Sequence, residues 1–198
     1  MTVGNDYYLG LEPWMELTGL AYRITPERSR DGQPRVNSEV MYENMMHKYA
    51  YGNMNCPGVY IDENLMRMCR THRMMFAQLA DQLVREGKRE KALEVLDYSE
   101  EQLPGYNIPY DYTSASMAQL YFVLHEDEKA LAIMDKVAQN SVEYLRFAAS
   151  LNRQQRAAMN STTDRQSAIL SYVLQTCERY GQHDFVDKYI ADYETYVK

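Results

Sequence analysis

The spacing of apolar side chains changes character near residue 60. From Asp62 onward they return at intervals of three and four, at Leu65, Met68, Cys69, Met75, Phe76, Leu79, Ala80, Leu83 and Val84, which lines one face of an α-helix. Gly87 stops that run. EKALEVLDYSEEQL then starts a second one, with Ala92, Leu93, Val95 and Leu96 apolar, before Pro104 and Gly105 close it. The spacing predicts two antiparallel helices joined by a tight turn.

The pair then recurs. KALEVLD at Lys91 returns as KALAIMD at Lys129, 38 positions on, with His125 in the place of Gly87 and Ala130 in the place of Ala92. A weaker third copy consists of a helix from about Asp164 to Tyr180, then Gly181, then Val186 and Ile190. Between the second and third copies, VEYLRFAASLNRQQRAAM reads as an extra helix. A helix pair cannot bury its apolar face alone and stacks on a like neighbour, so recurrence argues for a repeat architecture.

Phe76, Leu79, Ala80, Leu83, Gly87, Ala92, Leu96, Ser99 and Pro104 fall where the tetratricopeptide motif places large, large, small, large, glycine, small, large, small and proline, over one repeat of about 34 residues. The second copy keeps Met117, Ala118, Tyr121, Ala130, Met134 and Val137 but has lost the glycine and the closing proline. The expected fold is all-α, an α-α superhelix of tetratricopeptide-like hairpins over residues 61–198. An irregular N-terminal cap with one short helix is expected over 1–60.

Within the cap, Gly4, Gly10, Pro13, Gly19, Pro26, Gly32, Pro34, Gly52, Pro57 and Gly58 punctuate short apolar runs. LTGLAYRIT, residues 17–25, reads as extended, and Ser38 reads as the N-cap of a helix over EVMYENMMHKY. The opening MTVGNDYYLGL has no basic stretch leading into an apolar one, as a secretion signal would. No window approaches the ~18 consecutive apolar residues of a membrane helix.

A hydrophobic share of 45% with 25% charged residues is enough for a packed core without metals or disulfides. The net charge of -7 argues against nucleic acid as a partner. Cys56, Cys69 and Cys177 have no CxxC spacing, so neither a disulfide framework nor a zinc site is indicated. The sequence has no GxSxG, HExxH, GxxxxGK[ST] or GxGxxG motif, and His47, His72, His125 and His183 are scattered. No catalytic residue, metal or cofactor is expected.

Tetratricopeptide domains hold extended peptides on the face made by the first helix of each pair. The corresponding outward positions are Met74, Gln78, Asp81 and Arg85 in the first pair and Tyr112, Ser116, Gln119 and Phe122 in the second. Tyr112 and Phe122 are the expected anchors; the competing reading is that cap or extra helices cover this face. Arg67, Arg70 and Arg73 recur every three residues beside His72. They read either as a clamp for a phosphate or carboxylate or as a solvated stripe paired with neighbouring acids. Cys69 and His72 share a metal-ligand spacing, but no second pair completes a shell. GYNIPYDYTS, residues 105–114, lengthens the first period and carries three tyrosines, suited to sugar or peptide recognition or to packing between repeats.

The wording TVGNDYYLGLEPWMELTGLAYRITP followed by MYENMMHKYAYGNMNCPGVYIDENLMRMCRTHR resembles a bacterial family of large polytopic membrane proteins of unknown function, themselves similar to protein O-mannosyltransferases. The resemblance covers the whole chain. It implies the soluble C-terminal part of a membrane glycosyltransferase-like protein of the bacterial inner membrane, on the periplasmic side, with the cytoplasmic side as the alternative. It also implies that the acidic catalytic residues lie in membrane loops absent from this chain. The partner would then be a protein or peptide, or the parent's own membrane part, with an apolar patch near Trp14 and Tyr22. A sugar- or peptide-binding module or small enzyme using the tyrosine-rich loop and the arginine stripe is the alternative.

Overall fold

The computed structural model describes residues 8–197, which divide into two compact units, Met1–Pro109 and Tyr110–Lys198. The first unit opens with a single 3-10 turn, Glu12–Trp14, and then three short strands: β1 (Met15–Leu17), β2 (Tyr22–Ile24) and β3 (Arg35–Val36). They form one sheet in the order β2-β1-β3. β1 pairs antiparallel with β2, Met15 opposite Ile24, and parallel with β3, Leu17 opposite Val36. The extended reading of 17–25 thus resolves into strand ends around a bend. Gly19, at φ +148, is required there because a side chain would run into the Tyr49 hydroxyl.

Helix α1 (Ser38–Glu43) runs into a π-helical turn, Asn44–Lys48. Its N-cap is Asn37, whose side chain accepts from the Val40 amide at 3.1 Å. Ser38, expected as the cap, is instead the first helical residue, and its buried hydroxyl donates to Glu86 at 2.7 Å. Met41, Met45 and Met46 turn inward from this segment. Unbranched thioether side chains fill such irregular gaps easily.

Helix α2 (Glu63–Arg85) is capped by Asp62, which accepts from the Leu65 amide at 2.8 Å. It packs against α3 (Arg89–Gln102). Phe76, Leu79, Ala80, Ala92, Val95 and Leu96 are completely buried between them, each large side chain contributing about 1.5–3 kcal/mol by leaving water.

The second unit contains α4 (Tyr112–Val123), α5 (Asp127–Ser150), α6 (Arg153–Arg179) and α7 (His183–Tyr196). Each helix packs on the next, α4 also touches α6, and α5 also touches α7. The expected extra helix over 142–159 does not exist as a separate element. Its first half continues α5 and its second half opens α6, which therefore begins at Arg153 rather than near Asp164. The break falls at Leu151, at ψ 155, because Asn152 and Gln155 form a capping box that starts a new helix there.

One turn recurs after α2, α4 and α6. Gly87 N–H donates to Val84 and Lys88 N–H to Leu83; His125 donates to Phe122 and Glu126 to Tyr121; Gly181 donates to Glu178 and Gln182 to Cys177. The pivotal residues have φ of +75, +67 and +72. This is the left-handed helix cap that glycine favours, and His125 adopts it with a side chain attached.

Candidate functional site

In the first unit, Met74, Gln78 and Arg85 are exposed along one face of α2, with Asp81 half-buried between them. Arg85 donates to Asp81 at 2.8 Å, a pair one helical turn apart. These four form an open face whose two charges already answer each other.

In the second unit, Tyr112 is 53% exposed at the start of α4, and Ser116 and Gln119 are half-buried on the turns above it. The Ser116 hydroxyl donates to the Tyr112 carbonyl at 3.2 Å. A residue the sequence reading did not select completes the face. Tyr172 of α6 lays its ring 5.1 Å from that of Tyr112 and donates its hydroxyl to the Gln119 side-chain oxygen at 2.6 Å. Burial raises the Tyr172 hydroxyl above its ordinary value, so it is a donor throughout the neutral range. The signal was present in the register: Tyr172 stands nine residues before Gly181, as Gln78 stands before Gly87 and Ser116 before His125.

Phe122 does not belong to this face. It is 2% exposed and stacks on Tyr180 at 4.8 Å, with ring planes 13° apart. The same register explains why, since Phe122 is three residues before its turn and matches Val84 rather than Arg85. It packs in the core and cannot serve as an anchor.

The arginine stripe also separates. Arg67 and Arg70 are exposed, but Arg73 is fully buried and donates to the carbonyls of Leu103 at 2.7 Å, Ile108 at 3.0 Å and Pro109 at 3.3 Å. Six residues along a helix turn about 600°, so Arg73 lies about 120° round from Arg67. That rotation takes it off the solvent face and toward the end of α3. There it satisfies the Leu103 carbonyl at the C-cap of α3 and the Ile108 and Pro109 carbonyls of the loop that follows, and places a positive charge at the negative end of the helix dipole.

Cys69 is buried with its Sγ 3.1 Å from Met54 Sδ, and His72 Nδ1 lies 2.7 Å from the Met68 carbonyl. Among the described residues no group of three His, Cys, Asp or Glu is placed to hold a metal.

The first half of the tyrosine-rich insertion forms a second recess in the first unit. Asn107 donates to the carbonyls of Met54 and Cys56, both at 2.7 Å, and Tyr106 donates to Asn55 at 2.5 Å. These bonds fasten the 105–109 turn to the loop at 54–56. They leave an open depression of about 610 Å³ lined by Pro57, Gly58, Val59, Tyr60, Tyr106 and Asn107. Tyr60 and Tyr106 are 87% and 65% exposed. Ile108, by contrast, points wholly into the core.

The strand-bearing end carries an apolar surface at Leu9, Leu11, Trp14 and Ile24, all exposed, while Tyr22 is half-buried edge-on to Tyr8. Turn bonds from Leu11 to Tyr8, from Trp14 to Leu11 and from Thr25 to Trp14 hold these residues close together. Among the described residues no helix is long and apolar enough to cross a membrane.

No protein-family model matches the chain, and neither a curated protein nor a solved structure is significantly similar to it.

Proposed function

We propose that this chain is a non-catalytic docking domain, a tetratricopeptide-like stack of helix hairpins whose α4/α6 face holds an extended segment of a protein partner. The observation that carries this reading is the arrangement of Tyr112, Ser116, Gln119 and Tyr172. Two aromatic surfaces and an amide lie on the first helices of successive hairpins, oriented by one another and only partly covered. Tyrosine presents a broad, rigid surface with a hydroxyl at its edge, which suits peptide recognition. The thrice-repeated turn and the packing of α4 on α6 and α5 on α7 support the repeat reading.

On the resemblance in sequence, we propose that the domain belongs to the extramembrane part of a membrane glycosyltransferase-like protein of the bacterial inner membrane, on its periplasmic side. The apolar surface at Leu9, Leu11, Trp14 and Ile24 supports docking against the rest of such a parent. The experiment is photocrosslinking from a reactive residue at position 112, with a second at 116, in the protein as its cells make it. Capture of the parent's membrane loops or of a separate polypeptide fits the proposal, and absence of any protein adduct overturns it.

A second reading rests on the depression at Tyr60 and Tyr106, whose exposed rings and Asn107 amide suit a sugar or a peptide. Titration with oligosaccharides, following tyrosine fluorescence of the wild type and of Tyr106→Ala, separates it from the first. A saturable change that disappears in the variant favours this site.

A further inference from the structure

The second unit has another surface, formed because its inner helices outrun their neighbours. Helices α5 and α6 have 24 and 27 residues, whereas α4 and α7 have 12 and 14. The short helices join their long partners at His125 and Gly181 and cover those ends. Asn140 of α5 reaches the Tyr110 carbonyl just before α4, and Arg146 pairs with Asp192 near the end of α7 at 3.6 Å. Beyond these contacts α5 and α6 run together as an arm around the break at Leu151 and Asn152; at its base a 3.0 Å bond from Ser141 to Gln166 ties the two helices.

The arm is thinly covered. No residue from Ala149 through Ala168 is buried. Phe147, whose ring burial would be expected to hide, is 53% exposed. Its charges run against those of the rest of the chain. Between Tyr144 and Ala168 stand Arg146, Arg153, Arg156 and Arg165 with Asp164 as the one acid, a net of +3 on a chain whose total is -7. Glu143 lies just outside. Arg146 is engaged by Asp192, and Arg156 donates from Nε to the Leu151 carbonyl at 2.8 Å. Among the described residues, no carboxylate pairs with Arg153 or Arg165.

All four cations are arginine, whose planar fork takes a carboxylate through two parallel bonds. We infer that the arm docks an acidic segment of a partner protein, with Arg153 and Arg156, about 60° apart around α6, taking its carboxylates and Phe147 offering an apolar anchor. A nucleic acid or an anionic bilayer fits less well. Each extends its negative charge well past a Debye length of about 8–10 Å and so also meets the acidic remainder of this chain. A short acidic segment meets the arm alone. The inference rests on reading the chain as a docking domain, but on a surface separate from the α4/α6 face.

The test uses the full chain and three probes: a fluorescent helical peptide of glutamate, leucine and alanine, a single-stranded DNA, and vesicles containing phosphatidylserine, each at low and at physiological salt. Saturable peptide binding is expected, weakened about tenfold or more by Arg153→Glu with Arg156→Glu. Tyr112→Ala, which disables the α4/α6 face, should leave it unchanged, as should Arg23→Glu with Arg28→Glu in the first unit. The substituted arginines are exposed, so helicity should persist; if it does not, Arg153→Gln with Arg156→Gln takes the place of the charge reversal. Absence of peptide binding at low salt, equal weakening by the first-unit pair, or tighter binding of DNA or vesicles than of the peptide would each overturn the inference.

Discussion

The Tyr172 hydroxyl donates to the Gln119 side-chain oxygen at 2.6 Å and so fixes the orientation of an amide on the neighbouring hairpin. Removing the hydroxyl with Tyr172→Phe should cost about 1 kcal/mol, measured by urea unfolding. Tyr112→Ala, at a position 53% exposed, should leave stability within about 0.5 kcal/mol and yet abolish partner capture by the α4/α6 face. A large loss of stability in the second variant would show that Tyr112 packs rather than binds.

Arg73 should behave unlike Arg67 and Arg70. Arg73→Met leaves the carbonyls of Leu103, Ile108 and Pro109 without the guanidinium they share, and a loss of about 2–4 kcal/mol is expected. Arg67→Ala, on the exposed side, should change stability by no more than about 0.5 kcal/mol. Chemical denaturation of the two variants side by side checks the contrast.

The turns give a pair of opposite predictions. His125→Gly relieves a left-handed backbone at φ +67 and should raise stability by about 1 kcal/mol. Ala80→Leu, at a fully buried position facing α3, should lower it by roughly 1–3 kcal/mol because the two helices cannot separate freely.

Glu86 provides a pH dependence. Burial alone would raise its carboxyl, but hydrogen bonds from Lys88, Gln82 and Ser38, together with the Lys88 charge, hold it down at about 2 against an ordinary 4.5. A depressed carboxyl stabilises the fold above its unfolded value, and that contribution is lost as pH falls through the folded value. Thermal midpoints of the wild type should therefore fall more steeply than those of Glu86→Gln between about pH 4.5 and pH 2. Parallel curves would mean that the cluster of Ser38, Glu86 and Lys88 adds nothing to stability.

The cysteines supply a topological reporter. Cys56 is exposed, whereas Cys69 and Cys177 are buried. Burial raises both of those thiols, Cys177 up to about 12, which suppresses the reactive thiolate. A membrane-impermeant maleimide should label the folded chain once, at Cys56. In cells with a permeabilised outer membrane, that labelling should proceed without disrupting the inner one. Protection of Cys56 until the inner membrane is lysed would contradict the proposed periplasmic placement.

The hairpins were legible because local chemistry writes them: a residue able to turn left-handed at 87, 125 and 181, and alanines at 80, 92, 118 and 130 where helices touch. The sheet was not, since its strands are two or three residues long and the β1–β3 pairing joins segments far apart in sequence. Neither was the course of α5 into α6, because no glycine or proline marks the break, which lies at the capping pair of Asn152 with Gln155. Phe122 was misplaced by one position of register, which is enough to turn a side chain from solvent to core. Arg73 could not be told from Arg67 and Arg70, because its acceptors are backbone carbonyls some thirty or more residues away, and a carbonyl leaves no mark in a sequence.

The recurring turn also bears on how the chain reaches its native state. Each hairpin is closed by donors and acceptors no more than five residues apart, so the reversal of direction is encoded without reference to any distant segment. Little loop entropy has to be surrendered before the two helices meet, and topologies wired in this way fold fast. Each hairpin can then begin to form as it is synthesised, before a neighbour covers its apolar face. The strand-bearing segment, whose β1 and β3 must find one another across the β2 excursion, is the part of the first unit expected to consolidate last.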